Sequence, residues 1–196
     1  MVWASELEAP RISVAWLSRP RVGELVSGDA VVVRQAGDAV LVAVIDALGH
    51  GPKAAEVADR SSEYFGDAAL SGGAVSLVRG LHDRLQGSRG AAALILVVTS
   101  AGVEACSVGN VELRSASGSL PFVLTPGVLG LRLRQPKICA SQGYRADRLV
   151  LYSDGISGRF DLKTLRGHAP PDLASHIFAS HRHDHDDATV VVVDVA

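Results

Sequence analysis

Val40-Leu41-Val42-Ala43-Val44-Ile45-Asp46-Ala47-Leu48-Gly49-His50-Gly51-Pro52 is the stretch on which the reading of this chain turns. Residues 39–45 form a Val-rich apolar run with the length and β-branched content of a buried strand. The run stops at a carboxylate, passes through two glycines and meets a proline. Proline is favoured at the first position of a helix, where its missing N–H has no partner to lose. A strand, an acid at its end, a tight turn and a helix start are therefore expected in that order. The helix is expected over residues 53–65, with Ala54, Ala55, Ala58, Ser62 and Phe65 near one face.

Upstream, residues 30–34 form a second Val-rich strand. It is joined to the first by Gln35-Ala36-Gly37-Asp38, a hairpin connection. Residues 11–17 alternate as a half-buried strand does. Downstream, a second helix is expected over residues 74–85, with Val75, Val78, Leu81 and Leu85 at helical spacing. Then come strands at 91–99, 103–108, 111–116, 120–124, 136–140 and 148–152, a helix at 171–180 and a last strand at 188–195. Strands and helices are grouped rather than alternating. That order predicts an α+β fold layered around a mostly antiparallel core, not a series of βαβ units. No repeat, linker or low-complexity tract divides the chain, so residues 1–196 are expected to form one domain.

Composition narrows the function classes. The chain is 47% hydrophobic and 20% charged, which describes a folded protein with a substantial core rather than a disordered one. A net charge of −2 lacks the basic excess of a nucleic-acid binder. The longest apolar run, residues 91–98, is far short of the roughly 20 residues of a spanning helix. Residues 1–11 carry Glu6 and Glu8 and no apolar stretch, so they do not read as a secretory signal. Cys106 and Cys139 lie in strand-like stretches without metal spacing and are expected to be reduced core residues of a cytoplasmic protein.

Four segments share one grammar, an apolar strand bounded by Asp and a turn-permitting neighbour. They are Ser27-Gly28-Asp29, the 46–51 turn, Tyr152-Ser153-Asp154-Gly155 and Asp186-Asp187-Ala188-Thr189. Hard cations such as Mg²⁺ and Mn²⁺ take oxygen ligands, and carboxylates held at strand ends can converge on one sheet edge. Each segment alone has a plainer explanation. Asp154-Gly155 could be an ordinary turn, Asp29 a turn cap, and His50 an exposed loop histidine. HRHDHDD, residues 181–187, could be a solvated loop or a separate metal-binding tract. Only Asp186-Asp187 abuts the Val-rich strand, so those two are expected at the site and the histidines in solvent.

Taken in order, these motifs resemble the type-2C metal-dependent protein phosphatases, particularly the bacterial branch related to the sporulation phosphatase SpoIIE. The likeness lies in Ser27-Gly28-Asp29, in VIDALGHG (residues 44–51), in LYSDGI (151–156) and in DDATVVVV (186–193). Pro126-Gly127-Val128-Leu129-Gly130 is similar to a mid-chain turn of that branch. The length and the lack of added sensor segments resemble the RsbX-like stressosome feedback phosphatases.

The resemblance implies a four-layer αββα sandwich, with two Mn²⁺ or Mg²⁺ ions at one end of its central β-sandwich. It implies that Asp46 bridges the ions, that the Ala47 carbonyl adds a ligand, and that Asp154 and Asp186 hold the far side. Asp29 would support the site directly or through water, and Asp187 would assist, although the order of Asp186 and Asp187 stays open. Asn110 stands where some members carry an acid for a third ion, so a third ion would be held weakly. His50 would either protonate the leaving alkoxide or brace the ligands. Arg11, Arg19 and Arg21 lie in the region where some relatives grip phosphate.

The implied activity is hydrolysis of phosphoserine or phosphothreonine by metal-activated water. The implied substrates are phosphorylated STAS-domain proteins of a stressosome or anti-sigma pathway. Two rival readings are an inactive partner-binding module of the same fold and a phosphoesterase of small molecules.

Overall fold

The computed structural model describes residues 1–7, 12–144 and 146–196. It begins with a strand that the sequence did not announce. β1 (Trp3–Leu7) pairs antiparallel with β2 (Ile12–Arg19), opposing Trp3 to Trp16, and the two indoles stack. Arg11, where the sequence pattern started β2, lies outside the described residues.

β3 (Asp29–Ala36) and β4 (Ala39–Ala47) form the expected hairpin. After it come α1 (Pro52–Asp67), α2 (Gly73–Arg84), β5 (Ala91–Thr99), β6 (Gly102–Val108) and β7 (Glu112–Ser115). The short strands β8 (Leu124–Thr125), β9 (Gly127–Val128) and β10 (Arg132–Leu133) are followed by β11 (Ile138–Gln142) and β12 (Asp147–Tyr152). α3 (Pro170–His181) and β13 (Ala188–Val195) close the chain. The strand expected over residues 120–124 is reduced to its last residue. Pro121 lies inside that stretch and Pro126 follows it, and neither can donate to a ladder.

Two large sheets result, one in the order β1-β2-β13-β12-β7 and one in the order β11-β6-β5-β4-β3 with β8 alongside β6, while β9 and β10 pair as a separate two-stranded sheet. Among the described residues only the β6–β8 pairing is parallel. Side chains alternate across a strand, and the burial splits accordingly. Val40, Val42 and Val44 of β4, Leu94 and Leu96 of β5, Leu149 and Leu151 of β12, and Val191 and Val193 of β13 fill the space between the sheets. Leu41, Ala43 and Ile45 face outward onto Ala54, Phe65, Leu77 and Leu81 of α1 and α2. Val150, Val190 and Val192 face outward onto Leu173, Ile177 and Phe178 of α3. Each central strand is therefore covered on both faces, which explains why these strands are apolar throughout. The architecture is the expected αββα sandwich of α+β class.

The buried face of α1 is Ala54, Val57, Ala58, Ser61 and Phe65, rotated from the expected face by the inclusion of Val57 and Ser61. Both cysteines are free and buried, and burial pushes the Cys106 thiol up to about 11, which keeps it unreactive. Among the described residues no helix is long and apolar enough to cross a membrane.

Candidate metal centre

The alternation that fills the space between the sheets carries on to its end. In β4, residue 46 follows 40, 42 and 44 on the inner face. In β3, residue 29 precedes Val31 and Val33, which pack against the same core. The register sets Asp29 directly opposite Asp46. Such pairs hold their Cβ atoms roughly 4.5–5.5 Å apart, and like charges there repel. Just past β12, Ser153 donates its hydroxyl to Asp29 Oδ2 at 2.6 Å and accepts the Thr189 N–H at 3.0 Å. Asp154 follows Ser153, and Asp186 precedes β13. Asp46, Asp154 and Asp186 line one cavity of about 240 Å³ with Leu48, Gly49, His50, Ala92, Asn110 and His185. The four aspartates expected from the sequence thus meet at one end of the sandwich, with Asp29 on the floor beneath the other three.

Two glycines make this convergence possible. Gly51, at φ +74°, turns the chain into α1 in a backbone region that costs other residues dearly. At Gly155 a Cβ would meet the Asp187 carbonyl oxygen at 1.9 Å, so no side chain fits where the 153–155 turn presses on the start of β13.

The electrostatics are those of crowded acids. Burial pushes the Asp46 carboxyl up to about 9, with Asp29, Asp154, Asp186 and Asp187 adding repulsion. Burial likewise raises Asp29 to about 7, against the hydrogen bonds of Ser153 and Thr189 that favour its charged form. Asp154 is also raised, by burial and then by Asp186, with the Asn110 amide opposing. Asp29 Oδ1 is buried without a hydrogen-bond partner. An orphaned carboxylate oxygen inside an all-oxygen ring of acids is the donor chemistry of a hard divalent cation, and the residues present fit one. Among the described residues no three His, Cys, Asp or Glu side chains close into a ready-made cage.

The rim separates residues that the sequence left ambiguous. Asp187 spends both oxygens on backbone amides, accepting from Arg21 N at 2.7 Å and Gly28 N at 2.6 Å. Asp186 instead lines the cavity. The Asn110 side-chain amide donates to Asp154 Oδ2 at 2.5 Å, so it does more than shape its turn. His185 is exposed as expected, yet it stands at the cavity mouth rather than apart from it.

His50 lies between Arg21, whose Nη1 is 2.6 Å from Nε2, and Glu24, whose Oε1 is 2.7 Å from Nδ1. A guanidinium only donates, so Nε2 must accept and Nδ1 must carry the proton. In this arrangement the imidazole braces the loop between Arg21 and Glu24. Of the other candidate phosphate-gripping arginines, Arg19 donates to the Ser18 carbonyl and Arg11 lies outside the described residues. Ala47 donates its N–H to the Gly28 carbonyl, tying the two ligand-bearing turns together. Ser153 and the Arg21–His50–Glu24 set were missed in the sequence because their partners lie 26 or more residues away.

No protein-family model and no curated protein matches the sequence. Solved structures do match. A chain from a structure described as the bacterial stressosome, a modular system adapted to control secondary messenger signalling, superposes with a TM-score of 0.83 and 29% identity, over 93% of this chain and 98% of that one. RsbX in complex with magnesium gives 0.81 and 21% over the full length of both. The PP2C phosphatase domain of SpoIIE from Bacillus subtilis gives 0.77 and 18%, over 98% of this chain and 69% of that one. In fold, this chain is similar to the bacterial PP2C-type protein phosphatases, and its likeness to RsbX runs the full length of both chains.

Proposed function

We propose that the chain is a metal-dependent protein serine/threonine phosphatase, acting in the cytoplasm as one domain. The observation that carries this is the meeting of Asp29, Asp46, Asp154 and Asp186 at one end of the sandwich, with a buried Asp29 oxygen left without a partner. Bound Mn²⁺ or Mg²⁺ ions would supply a water that ionises near neutral pH and would offset charge on the phosphoryl oxygens. Asp46, on the inner face of β4, and the Ala47 carbonyl would hold the ions in this reading. Asp154 and Asp186 hold the opposite wall, while Asp29 anchors the floor through Ser153. Asn110 fixes the rotamer of Asp154, and Glu24 and Arg21 fix His50.

The fold shared with RsbX and with a stressosome component supports a narrower assignment. The substrates would be phosphorylated STAS-domain proteins of a stressosome or anti-sigma pathway, whose dephosphorylation resets the signal. A retired binding module would have no physical reason to keep mutually repelling acids at this depth.

The test is Mn²⁺-dependent hydrolysis of p-nitrophenyl phosphate and of a phosphorylated STAS-domain protein. Asp46→Asn and Asp154→Asn should each lower kcat on the order of a thousandfold. Full activity in either variant would sink the assignment.

A further inference from the structure

We propose that the rim of the carboxylate cavity is a docking stripe for a phosphorylated protein segment whose phosphoresidue is flanked by apolar side chains. This rests on the phosphatase reading above and names the substrate class of that site. Among the described residues nine large apolar side chains are exposed, and five of them, Val22, Leu25, Val26, Leu48 and Leu131, lie on three segments that are tied together at the cavity.

Leu48 lines the cavity itself, and its N–H bonds to the Gly90 carbonyl. Leu131 leans over that same Gly90, where an added Cβ would be 3.2 Å from its Cγ. On the other side, Glu24 holds His50, and Leu25 follows at the loop tip with 97% of its surface exposed. Val22 is fixed by its N–H to the Asp184 carbonyl.

Scattered single apolar residues on a surface mean little, but a cluster rimmed by charge marks a contact site. Beside the acids of the cavity and Glu24, the rim carries two guanidinium groups. The Arg21 guanidinium rests on His50, and that of Arg89 lies against Gly49, where a Cβ would be 2.8 Å from Nη1. Among the described residues neither arginine has a carboxylate partner. Apolar side chains interleaved with two guanidinium groups that lack a carboxylate partner fit an occupant that is apolar along its length and carries a dianionic phosphate.

The stripe is tested with the double variant Leu25→Ser/Leu131→Ser, assayed with Mn²⁺ on p-nitrophenyl phosphate and on two phosphoserine peptides. The peptides have equal length and charge, one with Leu and Val flanking the phosphoserine and one with Gly and Ser. The wild-type chain should favour the apolar peptide about tenfold in kcat/KM. The variant should lose that preference, while its rate on p-nitrophenyl phosphate and its melting temperature hold. A wild-type chain that turns over p-nitrophenyl phosphate without preferring the apolar peptide overturns the stripe alone, as does a variant that keeps the preference. A wild-type dimer in sedimentation that the variant splits would overturn it in favour of contact with a second copy. A wild-type chain that hydrolyses none of the three removes the phosphatase reading, and the stripe with it.

Discussion

Asp29 and Asp147 are buried to nearly the same depth, at 6% and 8% exposure, at opposite ends of the sandwich, and they have opposite surroundings. Asp147 opens β12 and is fully supplied with donors. The hydroxyls of Tyr144, Ser115 and Ser117 reach Oδ2, and the N–H groups of Ser117 and Arg148 reach Oδ1. Burial works to raise its carboxyl, but these donors together hold it below the usual value. Past the far end of the same strand, Asp29 has the Ser153 hydroxyl on one oxygen, nothing on the other, and further acids around it. A carboxylate satisfied by the chain is part of the scaffold. One left unsatisfied beside others of its kind is kept at some expense of stability and suits the proposed cation site.

The sharpest way to break this contrast is to neutralise each end. Asp147→Asn leaves hydroxyl and amide donors facing an amide and should destabilise the chain by about 2–3 kcal/mol, read by urea unfolding. Asp46→Asn should do the opposite in metal-free buffer at pH 8, raising the melting temperature by about 3 °C or more while abolishing any gain on adding Mn²⁺. Equal destabilisation by both substitutions would erase the distinction between the two ends.

A smaller effect follows from the raised acids. Folded Asp29 and Asp46 hold protons up to about pH 7 and 9, whereas the unfolded chain releases them near 3.8. Stability of the metal-free chain should therefore fall as pH rises from about 4 toward 9. Binding of Mn²⁺ at pH 7 should expel about one proton or more per chain, measured by calorimetry in buffers of different ionisation enthalpy. Binding without proton release would mean that these acids are already ionised. Smallest is Ser153→Ala, which strips Asp29 of its hydroxyl donor. It should weaken Mn²⁺ affinity about tenfold and destabilise the fold by about 1 kcal/mol, since the buried Thr189 N–H loses its acceptor as well.

Much of this was legible in the sequence because the strands are covered on both sides. Continuous apolar runs such as residues 91–98 can sit in few other places, and an acid that ends such a run must lie at the rim of the core. Asp29, Asp46, Asp154 and Asp186 were found that way. The stretch 117–137 was less legible, since its short strands β8 to β10 take their pairing from β6 and from one another rather than from any pattern of their own. β1 escaped notice because Trp3–Leu7 is short and, among the described residues, β2 is the only strand it pairs with. Choosing Asp186 over Asp187 as the cavity residue needed the backbone amides of Arg21 and Gly28, which no spacing rule supplies.

Those two amides give Asp187 a wider consequence. One side chain closes the base of the 21–28 loop the way a clasp closes a necklace, so the geometry of the acids does not depend on what is strung between. Lengthening such a loop costs only about 0.6 kcal/mol per doubling. The tip that carries Leu25 can therefore be rewritten, with Glu24 kept on His50, while the acids below stay as they were.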